Sequence, residues 1–235
     1  SVINDIKQLN LSLQYILETH AHADHLSAAP YLKQQCGGQT GIGAKIPVVQ
    51  DVFKGVFNMT DLTTDGSQFD LLLGEGDSLT LGELNIKVLE TPGHTPACVS
   101  YQIDDALFIG DTFLAPNYGT ARADFPGGDA STLYQSLKRI LSFPDETRLF
   151  LCHDYPEEGV APQSVCTVAD QRNNVQLQGS GADAFIEMRK TCDAQLEMPV
   201  LILPAIQVNI RAGQLPTAED NGVAYLKIPL NQIGH

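Results

Sequence analysis

An α/β layered domain is the fold class this sequence predicts. Short apolar runs alternate with helix-spaced segments along the chain. Gly- and Asp-containing turns join several of those runs into hairpins, which makes too many antiparallel pairs for a simple doubly wound sheet. Ligand-type side chains recur just past the ends of the apolar runs, the edge at which open α/β sheets bind ligands. The 235 residues, 43% hydrophobic, suffice for one sizeable core, so a single domain over 1–235 is expected, with a C-terminal extension from about 170 packed on it.

Taken in order, Gln14 to Glu18 reads as a buried strand and the Ala-rich stretch from Leu26 to Gln35 as a helix. Gly37-Gly38 and Gly41 to Gly43 break the chain. Ile46 to Val49 reads as a short strand and Val52 to Asn58 as a short helix. Leu71 to Leu73, Ser78 to Leu81 and Leu84 to Leu89 are strands separated by Gly-Glu-Gly-Asp and Gly-Glu turns. Val99 to Ile103 and Ala106 to Ile109 form a hairpin around Asp104-Asp105. Ser131 to Ser142 places Leu133, Leu137, Ile140 and Leu141 on one helical face, with Ser131 as N-cap. Arg148 to Cys152 is a strand and Ala182 to Leu196 a helix. From Met198 on, prolines and short apolar runs predict a tail laid on the domain.

Composition removes several function classes. Lys and Arg total 14 against 28 Asp and Glu, a net charge of −14, so the basic field of a nucleic-acid binder is missing. No apolar run approaches the ~20 residues that span a bilayer. No basic-then-apolar leader is visible, and the expected compartment is the cytoplasm. The five cysteines (36, 98, 152, 166 and 192) are odd in number and contain no C-x-x-C pair. That argues against a disulfide framework and against a structural zinc site.

Residues Thr19 to His25 read T-H-A-H-A-D-H, so His20, His22, Asp24 and His25 fall within six positions. Imidazole and carboxylate suit first-row metals such as Zn and Fe. His94 follows a Pro-Gly turn after a strand, Asp111 follows Gly110 after another, and His153 follows Cys152 at the end of a third. Five of the six histidines thus fall at predicted strand ends; the sixth, His235, is terminal and expected to be disordered. Cys98 reads as a small buried filler rather than a reactive thiol.

With these residues in order, the chain resembles the metallo-β-lactamase superfamily, carried by H-x-H-x-D-H at His20 to His25 and then His94, Asp111 and His153. The longer segments Thr91-Pro-Gly-His-Thr-Pro-Ala-Cys98, Gly119-Thr-Ala-Arg-Ala-Asp-Phe125 and Cys152-His-Asp-Tyr155, with Pro204 to Gly213, resemble its persulfide dioxygenase branch. The resemblance implies an αββα sandwich with a metal site at one edge. Members of the family carry further N-terminal strands ahead of the ligand strand. The expectation is therefore a sandwich lacking those strands through truncation, with a partner chain in a homodimer as their alternative source.

The superfamily uses this constellation in two ways. In binuclear zinc thioester hydrolases of the glyoxalase II type, His20, His22 and His94 would hold one metal, Asp24, His25 and His153 the other, and Asp111 would bridge. In the persulfide dioxygenases one Fe(II) would be held by His20, His94 and Asp111, with His22, Asp24, His25 and His153 around them orienting ligands and waters. The flanking motifs favour the second: glutathione persulfide and O₂ giving sulfite and glutathione. The substrate's carboxylates ask for cations, and Arg122 is the first candidate, with Arg172 and Arg211 behind it; Tyr155 is a hydrogen-bond candidate. A third reading is a metal-free, inactive remnant of the fold.

Overall fold

The computed structural model describes residues 1–179 and 181–230, so His235 lies outside the described residues. The chain gathers into two compact units, Ser1–Leu73 with the segment from Glu197 onward, and Gly74–Leu196.

The first unit holds α1 (Val2–Gln8), β1 (Tyr15–Leu17), α2 (Ala29–Cys36), β2 (Gln39–Gly43), α3 (Ile46–Phe57), β3 (Leu71–Leu73) and a later helix, Ile202–Asn209. Its three strands form a parallel sheet in the order β1-β2-β3. Parallel neighbours need a crossover, and α2 and α3 supply the two. Gly37-Gly38 break the chain at the end of α2 as expected, whereas Gly41 to Gly43 belong to the middle strand. A Cβ on Gly41 would lie 2.9 Å from Leu17 Cδ2 and 3.2 Å from Leu73 Cδ1, so leucines from both neighbouring strands fill the space a side chain would need.

The strand expected at Ile46 to Val49 is the start of α3. Ile46, Val49, Gln50, Phe53 and Phe57 form one buried stripe, and Pro47 stands in the first turn, where its missing N–H costs nothing. Gln50 hid that period because it is polar and buried. Its Nε2 donates to Ile210 O (2.8 Å) and Gln68 Oε1 (2.7 Å), and its Oε1 accepts from Gly66 N (2.9 Å), so the core position is fully satisfied. The tail expected after Met198 contains the helix Ile202–Asn209. Six of its eight residues are buried, so it shows no amphipathic stripe to read.

The second unit holds β4 (Ser78–Leu81), β5 (Leu84–Glu90), β6 (Val99–Ile103), β7 (Ala106–Phe108), α4 (Ala130–Ile140), β8 (Arg148–Phe150), β9 (Val165–Thr167), α5 (Val168–Gln171) and α6 (Ala182–Asp193). The helix Ile202–Asn209 completes the series as α7. β4 to β9 form one sheet in sequence order. All its pairs are antiparallel except β7 with β8, which α4 connects. Two antiparallel steps give β5 and β7 the same direction, and β8 runs with β7. The C-terminal ends of β5, β7 and β8 therefore share one edge of the sheet.

Leu107, Ile109, Phe113, Leu133, Leu137, Ile140 and Leu149, each about fully buried, fill the core between that sheet and α4. The cap of α4 is Asp129, not Ser131: its side chain accepts from Thr132 N at 2.7 Å. β9 and α5 were not expected. Three residues are too few to show alternation, and α5 rests on a capping box between Thr167 and Asp170. No helix of the described residues is long and apolar enough to cross a membrane.

Candidate metal centre

In the second unit three ligand-type side chains stand at the shared sheet edge. His94 ends the turn after β5. Gly93, at φ 136°, makes that turn: a Cβ there would come 2.3 Å from Leu133 Cα, so only glycine lets the loop pack on α4. Asp111 follows β7 and His153 follows β8. His94 Nε2 lies 3.6 Å from Asp111 Oδ2, and His153 Nε2 lies 3.6 Å from Asp111 Oδ1.

The tautomer of His94 is legible from its other nitrogen. Nδ1 lies 2.8 Å from the carbonyl oxygen of Arg122, which can only accept, so Nδ1 carries a proton and Nε2 is the nitrogen that faces Asp111. Two ligand atoms about 2.1 Å from one ion at octahedral or tetrahedral angles stand roughly 3.0 to 3.4 Å apart. The 3.6 Å spacings are long for hydrogen bonds and close to that value. The donor set therefore fits a cation.

Around this edge His94 meets Phe125 edge-on at 5.3 Å between ring centroids, and Tyr155 stacks on His153 at 5.7 Å with 10° between planes. Cys98 is buried beneath His94's loop, with Thr95 N and Oγ1 at 3.3 and 3.1 Å from its sulfur. Burial pushes its thiol up to about 12, and the charge of Asp111 adds to the shift. That environment agrees with a filler.

In the first unit Thr19 to His25 forms an irregular turn after β1. His20 is buried, with Thr19 Oγ1 3.0 Å from its Nδ1. The rings of His20 and His22 are 4.1 Å apart between centroids, and those of His22 and His25 4.3 Å. One ligand atom each from His22, Asp24 and His25 lie within 4.8 Å of one another.

Two residues that sequence reasoning left without a role organise this turn. Glu18 Oε2 stands 3.5 Å from His22 Nε2, and Ser27 Oγ donates to Oε1 of the same carboxylate. Burial raises the Glu18 pKa, but hydrogen bonds from His22 and Ser27 outweigh it and hold the group below its ordinary value, as a carboxylate. Asn209, on α7, donates through Nδ2 to the carbonyls of His22 and His25 (2.7 Å each) and accepts at Oδ1 from Ser27 N (2.9 Å). The signal for Glu18 was its place one residue past β1. Asn209 was marked only by its place in the Pro204–Gly213 segment that resembles the family, and its contact with His25, 184 positions away, was not readable.

The expected substrate cations are all engaged within the chain. Arg122 makes a two-pronged pair with Asp124 (2.6 and 2.7 Å) and lies 5.0 Å over the Phe125 ring. Arg172 pairs with Asp145 at 2.8 Å, exposed to solvent. Arg211 is buried and pairs with Asp61 at 3.0 Å, its Nε meeting no hydrogen-bond partner.

Comparison with known proteins agrees with this arrangement. Residues 3–153 match the metallo-β-lactamase superfamily. The chain is 49% identical to Glyoxylase B2 of Dictyostelium discoideum, over 97% of this chain and 80% of that protein. It is 32% identical to the mitochondrial persulfide dioxygenase ETHE1 of Mus musculus, over 88% of this chain and 72% of that protein. The crystal structure of ETHE1 from Myxococcus xanthus matches with a TM-score of 0.73 at 29% identity, covering 91% of this chain and 83% of that one. The chain belongs to the metallo-β-lactamase superfamily, and the mixed α/β architecture is that fold. Within it, the similarity places the chain in the branch that contains the persulfide dioxygenases.

Proposed function

We propose that this protein is a mononuclear non-haem Fe(II) persulfide dioxygenase acting on glutathione persulfide. By its motifs the ligands are His20, His94 and Asp111, two imidazoles and one carboxylate. When bound, Fe(II) in such a set supplies open positions for the substrate sulfur and O₂ and the electrons that activate O₂. Both atoms of O₂ go to the terminal sulfur, and water supplies the third oxygen of sulfite as the S–S bond breaks and glutathione leaves.

The observation that carries this reading is the Gly119–Phe125 segment. It holds the family's Arg122-Ala-Asp-Phe sequence, and its Arg122 carbonyl sets the ring of His94. The protein's own work is to present Nε2 of His94 toward Asp111 and to pack the His94 ring edge-on against Phe125. His22, Asp24, His25 and His153 would surround the ligands. Arg122, Tyr155, Arg172 and Arg211 are the candidates for the glutathionyl end.

A second reading, a binuclear zinc thioester hydrolase of the glyoxalase II type, has its own support. Asp111 presents one oxygen to each of His94 and His153, as a bridging carboxylate would, and a relative at 49% identity bears the name Glyoxylase B2. Metal analysis with activity separates the two. The proposal expects about one iron per chain, with O₂ consumed and sulfite formed from glutathione persulfide. Iron-loaded protein that hydrolyses S-lactoylglutathione and consumes no O₂ overturns it.

A further inference from the structure

We infer that Asp193 is a positioning residue for the metal site, acting on His94 through the single peptide group between Arg122 and Ala123. The inference rests on the metal-centre reading above.

The C=O of that peptide accepts from His94 Nδ1 at 2.8 Å, and its N–H donates to Asp193 Oδ2 at 2.9 Å. A peptide group is planar, so fixing the direction of its N–H fixes the direction of its C=O. The carboxylate also polarises the group, since hydrogen bonds in series strengthen one another in a low-dielectric interior. A metal-binding histidine commonly donates its second N–H to a carboxylate or a carbonyl. Here one carbonyl stands between the two, and a buried carboxylate stands behind the carbonyl.

Asp193 is held for this task. It is buried on α6, and its Oδ1 receives Arg189 Nε at 2.9 Å and Nη2 at 2.7 Å. Arg189 Nη1 reaches the same loop at Thr120 O (3.3 Å) and also Gln176 Oε1 (3.0 Å). Gln176 Oε1 accepts from both N and Oγ1 of Thr120, and Asn174 Nδ2 donates to Gly119 O. Residues 119–124 have no regular secondary structure, so these side chains satisfy backbone groups that no ladder would. From its other side the loop touches the second ligand candidate: Ala121 N donates to the backbone oxygen of Asp111 at 3.2 Å. A buried ion pair is weak evidence for stability, because desolvation offsets the attraction. Its geometry here is directed at the loop that sets the ligand.

The test compares the native chain with the double variant Arg189→Met/Asp193→Leu, which leaves no uncompensated buried charge, and with Asp193→Asn, which keeps the shape if the double variant fails to fold. Two readouts are needed. Zn²⁺ affinity by chelator competition should fall about 10- to 100-fold in the double variant and less in Asp193→Asn. In metal-free protein, long-range ¹H–¹⁵N spectra should show His94 as the Nδ1–H tautomer in the native chain and a mixture in the variants. Folded variants with native Zn²⁺ affinity and an unchanged His94 tautomer overturn the inference. Neither readout depends on whether the loaded enzyme oxidises persulfide or hydrolyses thioesters. A native chain that bound no metal would sink the metal reading, while the tautomer comparison would still decide the relay.

Discussion

The two histidine-bearing turns reach their geometry by opposite routes. In the first unit four ligand-type residues crowd into the six positions from His20 to His25. In the second, His94, Asp111 and His153 come from three loops, and the directions of β5, β7 and β8 bring them to one edge. The compact turn buries His20 and His22 but leaves its Asp24 and His25 side chains 39% and 50% exposed, whereas those of His94, Asp111 and His153 are 7%, 12% and 19% exposed. Consecutive residues cannot all face inward, because one side of a turn meets solvent. Residues from separate strands can. Donors buried together bind a cation with less competition from water, so the dispersed set should dominate metal affinity.

The largest expected effect tests that ranking. Asp111→Ala should abolish metal binding, since it removes the carboxylate both His94 and His153 face. His22→Ala should retain much of the metal and lose activity by about 10- to 100-fold, the usual cost of losing a group that orients ligands. Metal content per chain after iron reconstitution reads both. Equal loss in the two variants would break the comparison and the one-iron assignment with it.

Next in size is Gly93→Ala. The added Cβ meets backbone atoms of Leu133 at 2.3 to 2.4 Å, and φ is 136°, so neither rotamer change nor small relaxation relieves it. A loss of about 3 kcal/mol or more is expected, from backbone strain and overpacking together. Asn209→Ala tests the other turn. It removes three hydrogen bonds, two of them to His22 O and His25 O, and should cost about 2 kcal/mol. Urea unfolding of both variants gives the order. If Asn209→Ala proved the costlier, the compact turn would be the more tightly built of the two.

This contrast also explains what could be read in advance. The compact turn was visible at once, because chemistry and sequence position coincide there. The dispersed set needed the strand ends, and those were legible to within one or two residues wherever a strand bordered a turn: the expected ends Leu89, Ile109 and Cys152 lie beside the observed Glu90, Phe108 and Phe150. Reading failed where burial was uniform. β2 was hidden by glycines that two leucines demand, the first half of α3 by a satisfied buried Gln50, and α7 by burial on nearly every side. Among the supports of the site, Asn209, Asp193 and Arg189 act through contacts far along the chain, which periodicity does not record, whereas Glu18 acts on the nearby His22 and Ser27.

The smallest expected effect probes how closed the second unit's edge is. Cys98 and Cys166 are buried, and burial raises their thiols to about 12 and about 11, whereas Cys152 is exposed. Thiolate is the reactive form, so at pH 8 iodoacetamide should modify Cys152 first and leave Cys98 and Cys166 untouched until denaturant is added. Peptide mapping by mass spectrometry reads the order. The sign of the pH effect follows from the same shift: a thiol whose folded pKa lies above its ordinary 9.0 keeps its proton longer folded than unfolded. Its contribution to stability is intact below about pH 9 and is lost as pH rises toward 12. Rapid alkylation of Cys98 in the native protein would mean that the loop carrying His94 opens to solvent, and the contrast between a closed dispersed edge and an open compact turn would fail.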